Sequence, residues 1–538
     1  MNPGILQDPG RESVSKMDLG FFAVIGAFLY TQLFQLPFTP YYFDGDHLIP
    51  ISNAMRLLGG EVMYRDFFHI TPPGTELWYA AFFLVFGLKI WVLNFSILVL
   101  GLALAWFGWY FSRQLFGGLL VYLASSVVLI VGLRLFFIDG SHRLFSAIFA
   151  FAAVGSLLRS RGPRHLALAG FLCGISTFFG QPRGVVALAG IIIFVVWERF
   201  RCSGIKYELW KAVAILAGTF AVTVMATQAY FLISAGFDNY YFALVTFIAK
   251  YYSGDPLSNS DAFFADIPSL GRYLSIYSAP EAVSRFLRIS LPTLLFYALV
   301  PWSYLAFLVY RWRKRTYIEN DLLDRRLMLL GCVGIALSLG VSAPSSERLS
   351  HVAIPAAVIL VWLLSRVRIA NRIAAALLCL TAVLALAYAL QRQTVLKYYL
   401  NMPSGRAAFL SNAVFERYKW MGEHTHPGDL FYEGHHPSFY FPFRLKNPTP
   451  LYVVRDNNYS PRFQVDSVQR SLEKHPPEFI FWPRKWSKLP QDRKPDDHLE
   501  NLWLFVKGNY DFQIVFEKPV NYTPNSEGDI EVWKRKAN

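Results

Sequence analysis

Residues 41–74 read YYFDGDHLIPISNAMRLLGGEVMYRDFFHITPPG. The stretch follows an apolar run over 19–37 and places two carboxylates, Asp44 and Asp46, close to its end. Ionisable side chains at a membrane boundary are costly to desolvate and are usually functional. An amphipathic segment over 49–58 comes next, then Arg65–Asp66, a histidine and a double proline. Asp46 can cap the 49–58 helix, or serve as general base toward an acceptor hydroxyl or amine. Either carboxylate can also help to hold a divalent cation.

The rest of the chain sets the context. It has 538 residues, 54% of them hydrophobic. Apolar runs of about 17–25 residues, enough to span a bilayer core as a helix, recur near 19–37, 91–112, 117–138, 139–158, 165–181, 184–200, 210–234, 287–310, 326–343, 350–366 and 372–390. The fold class is therefore an all-α polytopic membrane protein of about eleven transmembrane helices. The first 16 residues are polar and lack an apolar run ending in small residues, so the first span reads as retained rather than cleaved. Residues 75–88 are apolar but short, and read as a helix lying at the outer interface. As a true span they would invert the topology downstream.

The net charge is +14. Its distribution argues for topology rather than for nucleic acid. Lys and Arg gather in the short loops 161–164, 198–206, 311–315 and 366–372. With the N-terminus inside, all of these fall on one face, as retention of basic loops in the cytoplasm demands. Loops 39–90, 235–286 and 344–349 then lie outside, with everything after the last span. Cys173, Cys332 and Cys379 lie in predicted spans and Cys202 in a basic loop, so no disulfide framework is implied.

From about 395 the composition turns polar. Short β-rich runs at 430–432, 451–454, 479–482, 512–516 and 530–533 alternate with helical patterns at 465–474 and 499–506. This predicts a C-terminal α/β domain outside the membrane, long enough to hold its own core. The organisation is a transmembrane domain over 1–394, carrying the outer loop 39–90, and a soluble domain over 395–538.

Other outer loops carry chemistry too. Asp139, His142 and Arg143 lie in FIDGSHR (137–143), where Asp139 can cap the following helix. Arg183 lies in FGQPRG (179–184). At a membrane boundary its charge needs an anionic lipid phosphate or a route to the headgroups. Arg348 and His351 lie in SSERLSH (345–351), where Glu347 can pair with Arg348. The loop 236–286 is rich in Tyr and Phe, which suit a membrane-interface belt or the faces of sugars. Part of it can gate a cavity. The adjacent His435 and His436 are too few to define a metal site. No phosphate-binding glycine loop, dinucleotide fingerprint, zinc spacing or internal repeat is present.

The order Asp46, Ala54, Leu57–Leu58, Gly60, Tyr64–Phe67, Pro72–Gly74 resembles the first outer loop of polytopic C-type glycosyltransferases. More narrowly it is similar to the protein-mannosyltransferase-like family (family 39 and its aminoarabinose- and undecaprenyl-sugar-using bacterial relatives). The likeness covers residues 20–200 best. The family's catalytic aspartate falls on Asp46, and the glutamate that usually follows is His47 here. The resemblance implies Asp46 as base, with Asp44 and Asp139 supporting it. It implies donor-phosphate contacts from Arg183, Arg348, His351 and Arg143, and substrate contacts from His47, Arg65 and Asp66. It implies a sugar moved from a polyprenyl-phosphate donor lipid to an extracytoplasmic lipid, glycan or protein acceptor. No cofactor is required by the pattern, though Mg or Mn is a candidate. The setting implied is multi-pass in a bacterial inner membrane, with the C-terminal domain in the periplasm and no nucleic-acid partner. The alternative is a transporter or flippase of a lipid-linked sugar. Transporters favour broken helices and repeated halves with polar groups at the midplane, whereas the ionisable residues here gather at outer helix ends. A third class, a membrane scaffold, needs no such convergence of acids and arginines.

Overall fold

The computed structural model describes residues 14–135, 140–201, 208–252, 269–313, 321–341, 346–517 and 529–537. The chain forms two compact units. One comprises 1–32, 96–227 and 259–393; the other comprises 33–95, 228–258 and 394–538.

The first unit is helical. A helix falls on each of the apolar runs that the sequence marks as spans. Four of the helices, Ile90–Arg113, Leu209–Ala235, Thr293–Arg313 and Ala370–Thr394, are both long and apolar enough to cross a bilayer. This is the make-up of an integral membrane protein. Within the unit, His142–Arg159 packs on Pro163–Phe179, which packs on Gln181–Arg201, which packs in turn on Asp321–Leu339. Small residues permit these approaches. A Cβ on Gly184 would collide with Thr177 and the Cys173 carbonyl, and one on Gly174 would meet Thr223 at 2.6 Å. Lipid supplies no hydrophobic force between helices, so such close packing replaces it.

The buried carboxylates described in this unit are paired. Asp18, on the first helix Lys16–Leu33, accepts from Trp109 Nε1 and Tyr122 Oη at 2.8 Å and from Arg113 at 3.2 Å. Glu198 lies 3.1 Å from Arg161. A lone carboxylate at these depths would cost several kcal/mol, so each acid ties its helix to the neighbour that supplies the partner.

The second unit gathers residues 33–95 around the C-terminal segment. Two short antiparallel ribbons, Phe34–Gln35 with Thr39–Pro40 and Tyr398–Met402 with Gly405–Phe409, are joined by Tyr42 N–H donating to the Ala408 carbonyl at 2.9 Å. A four-stranded sheet runs Phe431–Glu433, Phe479–Pro483, Ile530–Arg535, Tyr510–Phe516. Its first pair is parallel and the other two antiparallel. The FIFWP strand is buried along its whole length, as befits a strand covered on both faces. Helices Arg462–Lys474 and Glu500–Asn509 supply Val465, Val468, Leu472 and Leu502 to a core with Trp482 and Trp486.

Several expectations shift. The apolar 451–454 run is not a strand; it lies buried as irregular backbone against the core. Its period fitted a strand, but Pro448 and Pro450 just before it remove ladder donors. The 398–409 ribbon and the helix Asn412–His424 escaped prediction. Outer loop 39–90, read with the membrane domain, packs in one unit with 394–538.

Candidate functional site

The outer loop begins with an amphipathic helix, Leu48–Leu58, and continues to a second helix, Gly74–Phe86. Pro50 falls in the first turn of the former, where no intrahelical donor is lost. The cap position is held by His47, whose own side chain makes no capping hydrogen bond. Asp46 is exposed. Of the two readings of Asp46, cap or base, the first placed the helix start at 49; the helix starts at Leu48, with His47 rather than Asp46 at its cap position. His47 is fully buried, its Nε2 3.1 Å from the Phe43 carbonyl.

Asp44 turns toward the C-terminal segment. Its Oδ1 accepts from Ser438 Oγ at 3.2 Å and lies 3.7 Å from His436 Nδ1. The turn that carries these partners is itself fixed. Ser438 N–H donates to Glu433 Oε2 at 2.9 Å. The Ser438 carbonyl lies 2.9 Å from Tyr42 Oη, which donates to it, and 3.1 Å from Tyr418 Oη, whose single proton is shared between that carbonyl and Tyr42 Oη at 2.9 Å. Burial, reinforced by Tyr42 and by the Asp44 and Glu433 carboxylates, raises the Tyr418 phenol well above its ordinary value, so it remains a donor.

The far end of the helix is clipped by Arg56. Its guanidinium donates to Glu61 Oε2 at 2.8 Å and to the Thr449 carbonyl at 2.9 Å, and it lies over the Phe67 ring at 4.7 Å. Gly60 has φ +88° and provides the left-handed turn that ends the helix. Tyr64 also has positive φ, +71°. A non-glycine residue there is strained by about 1–3 kcal/mol. Its hydroxyl bond to the Thr71 carbonyl at 2.7 Å and its ring against Tyr240 at 5.5 Å hold it. The Arg65–Asp66 pair is bidentate, at 2.9 and 2.8 Å, and Asp66 also accepts the Val62 N–H at 2.7 Å. The Arg65 hydrogen bond, aided by Val62, holds the Asp66 carboxyl below the usual range. Asp66 thus closes a turn, and both its oxygens are engaged.

Beside these lies a buried group that the pattern did not single out. Glu76, in the first turn of Gly74–Phe86, has no exposed surface; its Oε1 is 3.0 Å from His69 Nε2 and 3.4 Å from Asn53 Nδ2. Glu76, Glu433, His436 and Ser438 are the residues that sequence reasoning missed or set aside. The His435–His436 doublet was the one visible signal, and it pointed to metal rather than to Asp44.

The remaining candidates lie in the other unit. Arg183, in the first turn of Gln181–Arg201, is buried, not open at a lipid boundary. It donates to the Arg143 carbonyl and lies 3.4 Å from Ser146 Oγ, so two of the predicted phosphate contacts are neighbours. Arg348 is half-buried on the short helix Ser346–Ser350, and His351 just after it is buried. Asp139 lies outside the described residues. In the described part of the 236–286 loop, Phe247 packs on Tyr459 at 5.3 Å and Phe242 on Phe463 at 5.7 Å, while Phe237 and Tyr241 are exposed. Among the described residues no three His, Cys, Asp or Glu side chains converge as metal ligands.

This architecture is found in solved structures. ArnT from Cupriavidus metallidurans, bound to undecaprenyl phosphate, aligns over 97% of this chain and 98% of its own, at 12% identity and a TM-score of 0.55. The oligosaccharyltransferase of Archaeoglobus fulgidus, without ligand, aligns over 95% of this chain and 75% of its own, at 10% identity and a TM-score of 0.51. The chain has their fold. It is the polytopic C-type glycosyltransferase fold that the 46–74 pattern resembles. No family model matches the chain, and no curated protein matches it in sequence.

Proposed function

We propose that the chain is a membrane-embedded glycosyltransferase that moves a sugar from a polyprenyl-phosphate carrier to an acceptor on the extracytoplasmic face. The observation that carries this reading is a fold shared end to end with ArnT, combined with an exposed aspartate, Asp46, directly before the first outer helix. Sugar nucleotides are confined to the cytoplasm, so a donor used outside must be lipid-borne.

In this reading Asp46 takes the proton of the acceptor hydroxyl or amine as the acceptor attacks the anomeric carbon, and the carrier phosphate leaves. An exposed carboxylate suits the task, because it is accessible to an acceptor from solvent. Asp44, hydrogen-bonded to Ser438, holds the loop in place and adds negative charge. Asp139 is proposed to support them. Arg183, Arg143, Arg348 and His351 are assigned to the carrier phosphate, whose leaving charge guanidinium forks suit. His47 is proposed to shape the substrate side of the loop from its buried position. The Arg65–Asp66 pair is assigned a supporting part, fixing the turn beneath the substrate. The eleven spans, an inner-membrane setting and a periplasmic C-terminal segment complete the proposal.

The test compares wild type with Asp46→Asn in matched membranes, using a panel of radiolabelled polyprenyl-phosphate sugars. Wild type is expected to release sugar from one donor. The variant is expected to bind that donor equally and to turn over about 10²–10⁴ times more slowly. Transfer by the variant at the wild-type rate would remove Asp46 as base. No sugar release by either protein, with labelled lipid crossing vesicle bilayers, would replace the transferase with a flippase.

A further inference from the structure

A cavity of about 330 Å³ opens in the second unit, away from every side chain assigned above. Its walls are apolar, formed by Phe34, Phe38, Ile90 and Trp91, and two cations, Lys89 and Arg406, stand in its lining. Both cations are exposed. Among the described residues neither has a carboxylate partner, and Arg406 rests over the Tyr399 ring at 4.9 Å. Lys89 immediately precedes Ile90–Arg113, a helix long and apolar enough to cross a bilayer, so the cavity lies at headgroup depth. The turn of the 34–40 ribbon exposes Leu36 and Phe38 beside it, Phe38 at 75%. Apolar walls for the upper acyl chain and two uncompensated cations for an anionic headgroup are the complement of a phosphate-bearing lipid at that depth.

We infer that this cavity holds an anionic glycerophospholipid of the outer leaflet, with Lys89 and Arg406 on its phosphate. The lining contains no acid, histidine or other acid–base group, so the lipid is held and not turned over. The site has a route to the acid loop. Gly405 and Arg406 belong to the ribbon whose Ala408 carbonyl binds the Tyr42 N–H at 2.9 Å, two residues before Asp44. The Ser404 carbonyl takes the Ile90 N–H at 3.0 Å, joining the same ribbon to the helix start. A bound lipid would brace the ribbon against which the acid loop is hydrogen-bonded. The binding itself does not depend on the sugar-transfer reading.

The experiment uses full-length protein reconstituted with brominated phosphatidylglycerol or brominated phosphatidylcholine, following the part of the tryptophan emission that Trp91→Phe removes. Brominated phosphatidylglycerol is expected to quench this part at lower mole fraction than phosphatidylcholine, and added salt to weaken the preference. Each basic residue near an anionic surface contributes on the order of fivefold in affinity. The K89Q/R406Q variant should therefore bind about 30-fold more weakly, and K89R/R406K should retain the preference. Equal quenching by the two lipids in wild type, insensitive to salt, would overturn the inference without recourse to any variant. So would displacement of the brominated lipid by stoichiometric polyprenyl phosphate, which would make the cavity a carrier site.

Discussion

Asp44 and Asp46 are separated by one residue and have different surroundings. Asp46 is exposed, whereas Asp44 is bound to Ser438 and lies beside His436. The local pattern put the base on Asp46 and gave Asp44 a supporting part, but nothing in it says that Asp44 meets a segment almost four hundred residues away. Asp66 offers a test of such bonding by pH. Its folded carboxyl lies below its ordinary value, chiefly through Arg65. The stabilisation is then complete above the unfolded carboxylate value near ~3.9, and is lost as pH falls through the folded value. Asp66→Asn should unfold at lower temperature than wild type at neutral pH, and the gap should close on acidification below the ordinary carboxylate range. A thermal scan in detergent at several pH values reads this. A gap that persists unchanged in acid would show that the carboxylate's charge contributes nothing.

At the scale of elements, the outer helix Leu48–Leu58 was legible from its amphipathic period and its closing glycines, within a residue of its start. What holds it was not legible. Arg56 reads as one more polar-face arginine, yet its side chain is only 9% exposed and its fork serves Glu61 and the Thr449 carbonyl together. Arg56→Ala should cost roughly 1–3 kcal/mol, since it strands the buried Thr449 carbonyl and removes ring contacts, while Glu61 stays solvated. Arg56→Lys should recover less than half, because a point charge cannot serve both acceptors and lie over Phe67. The readout is the thermal midpoint together with protease sensitivity of the 59–74 segment. A wild-type midpoint for Arg56→Ala would make this contact incidental. The 451–454 run shows the opposite failure. It was read as a β-rich run, and Leu451, Tyr452 and Val454 are buried, but burial without a ladder left the backbone irregular.

At the scale of the whole molecule, composition, the apolar runs and the placement of basic loops announced a multispanning helical chain, and the structure puts a helix on every run. The expected sidedness can be measured with single cysteines, scored against the parent chain. Arg368→Cys, in a basic loop, should resist an impermeant thiol reagent added outside intact cells. Gln491→Cys, in the C-terminal segment, should react with it. Reversed labelling would invert the topology and remove the extracytoplasmic reading of the outer loop. By itself the sequence determined the helices, the polar C-terminal segment and the acid-bearing loop, because hydrophobic period, chain length and charge retention act locally along the chain. Tertiary structure alone decided that residues 33–95 belong with 394–538, that Glu433 and Ser438 fix Asp44, and that Arg183 is buried against the Arg143 carbonyl. Those are pairings between distant segments, selected by the need to satisfy buried polar groups once the chain has packed, and no spacing in the sequence encodes which partner will be met.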